Sequence, residues 1–221
     1  MRLLVTIGIF STLLAYQSFG QITINSSDYP KAGDHATTIN LDSTSAADLV
    51  IGAAGANKSW DFSQIGIEAG SEYTSYYGNA TGSAFAADFP EANLAQGENP
   101  DFSDPTNDVN YLKKTNTEAH LLGTGSVDGL TVYLDPLKVA AFPFTYNSNF
   151  DDDGIFEFDV DDMTKDTALV AVEVTGDAWG TIKTPVGTYQ TLRVKDVQES
   201  EYNFSGFEFK ITTTIYSFLT K

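Results

Sequence analysis

The clearest pattern in the chain is an alternation of apolar and polar positions between Ala168 and Phe218, cut into three runs by two turns. Leu169 to Thr175 is rich in β-branched residues and polar at alternate places, which predicts a half-buried strand, and the pattern resumes through Trp179, Thr181 and Ile182. Gly176 and Gly180 interrupt it. Glycine inside a strand pattern marks a bulge or a close backbone approach, so one long, bent strand is expected. Thr184-Pro185-Val186-Gly187 then places proline second and glycine fourth, as a tight turn requires. From Thr188 to Val197 the alternation sets Leu192 and Val194 toward the core, with Asp196 on their side and Tyr189, Thr191, Arg193 and Lys195 opposite. Asn203-Phe204-Ser205-Gly206 predicts a second turn, after which Phe207, Phe209, Ile211, Thr213 and Ile215 share one face. The result is an antiparallel meander with one wet side.

Shorter strands are expected upstream. Ile22–Ile24, Ala36–Leu41 and Asp48–Ile51 suit strands, whereas Gly52 to Lys58 is too rich in small residues to hold one and is expected to be a surface turn. Ser59 to Ser63 plants Trp60 and Phe62 on one face, and Ser71 to Tyr77 reads as another strand. Residues 79–105 differ in kind: small residues, acids and Pro90, Pro100 and Pro105 predict a long loop with a helical turn near Ala84 to Asp88. Such a loop is expected to be either a binding feature or a variable insertion. Strands return at Val109–Lys114, Ala119–Gly123 and Leu130–Leu134. Lys138 to Tyr146 is also strand-like, but Pro143 cannot donate to a ladder, so this strand lies at an edge or breaks there. About ten to thirteen strands and no amphipathic helix make one all-β domain, an antiparallel β-sandwich or a strongly curved open barrel built from meanders.

The amino terminus changes the compartment. Met1-Arg2, an apolar run from Leu3 to Ala15 and small residues at Ser18 and Gly20 have the form of a signal peptide over residues 1–20, which leaves a single domain at 21–221. The apolar run is about 13 residues, against the roughly 20 that a spanning helix needs. Export to the periplasm, cell surface or medium is therefore expected, with no membrane span after cleavage. The chain has no cysteine, so neither disulfides nor a lipid-modified cysteine are available and the core alone must supply stability. Once Arg2 leaves with residues 1–20, 30 acidic residues face 11 basic ones. A surface this negative repels nucleic acid and anionic lipid and favours solubility outside the cell.

Candidate chemistry is sparse. Asn149-Phe150-Asp151-Asp152-Asp153-Gly154-Ile155-Phe156-Glu157 places oxygen ligands before a glycine, as the first half of a calcium loop does, but Val160 stands where a bidentate glutamate is needed. A solvated acidic turn is the expectation and calcium the alternative. Asp159, Asp161 and Asp162 add carboxylates of the type a glycosidase pairs, in a chain where acids abound. His35 and His120 have no His or Cys at metal spacing, and no Gly-x-Ser-x-Gly elbow or phosphate-binding glycine loop occurs. Trp60, Trp179, Tyr73, Tyr76 and Tyr77 are either core residues or a platform for sugar rings. No catalytic, cofactor-binding or metal-binding residue is assigned.

Three segments carry a resemblance: Ser59-Trp60-Asp61-Phe62-Ser63; Phe142-Pro143-Phe144-Thr145-Tyr146; and Trp179 to Tyr189 followed by Leu192-Arg193-Val194-Lys195. Together, with gaps from Trp60 to Phe218, they resemble the uncharacterised amino-terminal all-β region of secreted Bacteroidetes proteins that often carry a type IX secretion sorting domain. The resemblance implies export and no catalytic residues. The chain ends at Thr220-Lys221, where such proteins continue, so a shortened member or a fragment without the sorting domain is expected. The function expected is a non-enzymatic, exported β-rich module with a structural or ligand-binding role, with a glycan or protein partner at the cell surface. The alternatives are a glycan-acting hydrolase or carbohydrate-binding module, and a carrier of an apolar ligand in an enclosed pocket lined by Phe207, Phe209 and Ile211.

Overall fold

The computed structural model describes residues 21–38, 40, 49–161, 164–204 and 207–221. The signal-peptide assignment at 1–20 and the start of the strand expected at Asp48 lie outside them. The described chain is all-β, with strands β1 (His35–Thr38), β2 (Gly55–Asp61), β3 (Tyr73–Gly78), β4 (Leu94–Gly97), β5 (Val109–Lys114), β6 (Glu118–Ser126), β7 (Gly129–Ala141), β8 (Asn149–Asp161), β9 (Thr164–Thr184), β10 (Gly187–Phe204) and β11 (Phe207–Leu219). They form one open sheet in the order β1-β3-β4-β5-β6-β7-β8-β9-β10-β11, with β2 beside β9. Every pairing is antiparallel except β2 with β9, which is parallel. A sandwich would need two sheets; here all the strands belong to one open sheet. Among the described residues no helix is long and apolar enough to cross a membrane.

Segment 79–108 covers the half of the sheet made of short strands. It is not one long loop as expected: β4 runs through it as an internal strand between β3 and β5. Between Ala80 and Pro90 the backbone makes successive turns and no helix. Phe89, half-buried Phe85 and half-buried Phe102 pack with Val109, Tyr111 and Leu122 into one hydrophobic cluster. Each ring lies on a glycine, Phe85 over Gly125, Phe89 over Gly123 and Phe102 over Gly78, so closely that an added Cβ would collide with it. The Tyr111 hydroxyl donates to or accepts from Ser83 Oγ at 2.9 Å and accepts the Phe85 N–H at 3.1 Å, which pins the segment to the sheet. Aromatic side chains brought these residues inward although proline and small residues gave them loop composition.

The other half is built from the long strands β8 to β11. The turn at Pro185-Val186 joins β9 and β10 as expected, and β9 is indeed one continuous strand. The acidic run Asp151-Asp152-Asp153-Gly154 is not a turn but lies in the first half of β8, paired residue by residue with Glu173 to Val170 of β9. Period two decides this: Phe150, Gly154 and Phe156 meet Val174, Val170 and Ala168, and that burial outweighs the turn composition of three aspartates and a glycine. β2 is a further correction, since Gly55, Asn57 and Lys58 belong to a strand and not to a surface turn. Gly180 makes it possible: a side chain there would strike the Lys58 carbonyl. The strand expected at Lys138–Tyr146 ends at Ala141, and Phe144 instead makes a single bridge to Ile24.

Candidate functional site

A bulge in β9 organises the long-strand half. Val194 of β10 faces Gly176 and its neighbour Arg193 faces Ala178, so Asp177 is an extra residue without a partner. The buried positions of β9 keep to even numbers throughout, Ala168, Val170, Val172 and Val174 before the bulge and Ala178 and Ile182 after it. Because the extra residue turns the strand over, the two sets lie on opposite faces. The first set packs with Leu137, Phe144 and Leu192, the second with Trp60. Three consecutive residues of β10, Thr191, Leu192 and Arg193, are consequently buried where both faces are covered.

Arg193 holds this crossing together. It is 1% exposed, and its guanidinium donates to both carboxylate oxygens of Asp177 at 2.8 Å, to the Ile51 carbonyl at 2.6 Å and to the Gly52 carbonyl at 3.1 Å. Its plane lies 5.6 Å from the Trp60 ring and 5.1 Å from that of Tyr216. A forked pair with further carbonyl acceptors is how a buried charge is tolerated. Trp60 in turn donates its indole N–H to the Ile51 carbonyl at 2.8 Å and stacks edge-on with Phe218 at 5.0 Å.

On the opposite face, where β10 leaves this crossing, a cleft of about 480 Å³ opens between β9–β11 and the Ile24–Phe144 bridge. Its walls are Ile24, Phe142, Phe144, Phe150, Val174 and Val194, with the Tyr29–Pro30 corner and Leu219 at its edge. Ile24 and Phe144 exchange backbone hydrogen bonds of 2.8 Å in both directions, and the Phe144 and Phe150 rings meet edge to face at 6.0 Å. Tyr29 packs edge-on against Phe142 at 5.5 Å, and burial, with Tyr77 nearby, pushes its hydroxyl up to about 12.

Two carboxylates line this mainly apolar space, and they differ. Asp28 accepts from the Lys221 ammonium at 2.6 Å and from the Asn25 N–H at 2.8 Å, and these bonds hold its carboxyl below the usual range. Asp196 sits between Val174 of β9 and Ile215 of β11 in register, and its Oδ1 is buried with no hydrogen-bond partner. Burial alone pushes the Asp196 carboxyl up. An apolar cleft with one unmatched ionisable group is the arrangement by which small-ligand sites are recognised.

The residues singled out from sequence do not converge. Trp60 is core, Trp179 is half-buried on the other face with Leu192, and Tyr73, Tyr76 and Tyr77 belong to β3 in the short-strand half, so no shared aromatic platform forms. Along β8 the side chains of Asp151, Asp152 and Asp153 point to alternate faces, and Asp152 Oδ2 accepts the Lys138 N–H at 2.6 Å. A strand cannot wrap an ion as a calcium loop does, and no set of three or more His, Cys, Asp or Glu side chains gathers among the described residues. His35 lies against Tyr76 at 6.3 Å between ring centres, and His120 contacts Pro136 and Glu118. Phe209 and Ile211 are each 49% exposed on the edge strand and cannot line an enclosed pocket.

Two features escaped sequence reasoning, and each had a signal. Alternation sets Arg193 opposite Leu192 and Val194, but the break in alternation at Gly176-Asp177 marks the bulge that brings an acid to it. Asp196 follows Leu192 and Val194 at core parity, which is where an acid is least expected to stand without purpose. Comparison with known proteins finds no matching family model, no matching curated protein and no matching solved structure.

Proposed function

We propose that this chain is an exported, non-enzymatic β module that binds a small, largely apolar ligand at the cell envelope or surface. The cleft beside Asp196 carries the reading: it has apolar and aromatic walls, a drug-sized volume of about 480 Å³ and a carboxylate whose buried Oδ1 has no hydrogen-bond partner among the described residues. The signal-peptide pattern and the resemblance to secreted Bacteroidetes regions support the location. Binding of the neutral dye Nile red tests it. The expected result is a blue-shifted rise in emission that saturates with wild-type protein and is lost in Ser217→Trp, where a bulky ring on an exposed lining residue blocks the mouth. Equal dye response in both proteins would remove the cleft from consideration.

One observation favours a second reading, a glycan-acting hydrolase. Asp28 and Asp196 line the same cleft with their carboxyls pushed in opposite directions, the pattern of a base and an acid. Release of nitrophenol from a panel of nitrophenyl glycosides, lost in both Asp28→Asn and Asp196→Asn, would establish it. Asp28 is already committed to Lys221 and Asn25, and the walls are mainly hydrocarbon, so binding is the better account.

A further inference from the structure

Resting on the binding reading, and fixing its chemistry, we infer that the cleft takes an organic ammonium ion: a primary amine on an apolar body, with the amine on Asp196 and the body against Phe144 and Phe150. The two carboxylates of the cleft supply the argument. Asp28 already has its ammonium, that of Lys221 at 2.6 Å. Among the described residues Asp196 has none: its Oδ1 is buried without a hydrogen-bond partner, and no basic side chain lines the cleft. Lys138 places its ammonium 5.7 Å from the centre of the Phe150 ring, so the same ring already accepts a cation on one side.

Charge selects among ligands. A carboxylate ligand would set two anions together in an apolar space, which costs far more than it returns. A neutral alcohol would give the Asp196 carboxylate a hydrogen bond but leave its charge unmatched. An ammonium does both, and charge-assisted bonds are about twice as strong as neutral ones. The chain as a whole, with 30 acidic residues against 12 basic, also draws cations toward its surface before any contact forms.

Two matched series test this by calorimetry at neutral pH and low salt: tryptamine, indole-3-ethanol and indole-3-propionate, and octylamine, octanol and octanoate. In at least one series the amine should bind tenfold or more tighter than its alcohol, with the acid weakest. Asp196→Asn, which keeps the shape, should erase that preference, and Ser217→Trp should abolish binding of the whole series while leaving Asp196 intact. If alcohol or acid binds as tightly as the amine, or if the preference survives Asp196→Asn, the ammonium assignment is wrong although the cleft still binds. If all six compounds and Nile red are silent, the binding reading falls with it. If Asp196→Asn does not fold, the assignment rests on the wild-type ranking and on loss in Ser217→Trp, and either result alone can overturn it.

Discussion

The two halves of the sheet bury their residues by opposite means. In the short-strand half, strands of four to nine residues are covered by a segment with loop composition, and the cover reaches the sheet through Phe85, Phe89 and Phe102 seated on glycines. In the long-strand half, strands of 13 to 21 residues extend past their cover, so that Leu169, Phe209, Ile211 and Ile215 of well-formed strands face solvent. Strand quality and burial are thus separate properties here. What is buried is what a covering segment happens to reach, and the cleft lies where the cover over β9–β11 stops.

The largest test concerns the crossing that separates the two faces. Arg193→Ala should lower stability by about 3–5 kcal/mol in urea unfolding, because it leaves the Asp177 carboxylate and the Gly52 carbonyl unmatched and takes one of two donors from the Ile51 carbonyl. Replacing the pair together, Arg193→Met with Asp177→Leu, should recover much of that loss. If the single and double variants are equally unstable, the charge pair is not what holds the faces together.

Next comes the short-strand half. Gly123→Ala should cost about 1–3 kcal/mol, since the new methyl group meets both the Phe89 ring and the Thr131 carbonyl. Tyr111→Phe should cost a similar or smaller amount, about 1–3 kcal/mol, by leaving the Phe85 N–H and Ser83 hydroxyl with fewer partners. Hydrogen exchange should show both effects spreading through 79–108 and β4–β6. Effects confined to the mutated residue would mean that the segment is not a cover at all.

These predictions also show why so much of the molecule was legible in sequence and where legibility stopped. Alternation reports strand conformation faithfully, so the turn at Pro185, the continuous β9 and the all-β class could be read directly. Alternation is blind to which face is covered. The even positions of β9 look like one stripe, yet the bulge at Asp177 divides them between two cores. It is equally blind to long-range cover: nothing local says that Phe89 will find Gly123, or that Ile51 and Gly52 will meet Arg193. The site suffers from both blind spots, because it exists only where Ile24, Phe144 and β10, far apart in the chain, approach one another.

Asp196 offers a smaller effect whose sign depends on pH. Its carboxyl is raised in the folded protein, so the native state holds a proton more tightly than the unfolded chain, and stability falls as pH rises through the range between the ordinary aspartate value and the raised one. Asp196→Asn should therefore raise Tm slightly at pH 7, with the gain shrinking as pH drops through that same range and levelling off below the ordinary aspartate value. A variant less stable than wild type at pH 7 would show that the carboxylate has a favourable partner in the free protein, and would weaken the case for the cleft.

The smallest effect belongs to the exposed edge. Ile211 is 49% exposed on a strand paired on one side only, opposite Ser200 of β10. Its replacement by threonine keeps the β-branched geometry and removes little buried surface, so unfolding should shift by no more than about 0.5 kcal/mol. The same exchange at Val170, 1% exposed at the same level of the sheet and also opposite Ser200, should cost several times more because it places a hydroxyl in the core. Equal effects at the two positions would mean that the outer half of β11 is covered after all, and the contrast between strand quality and burial would lose its sharpest case.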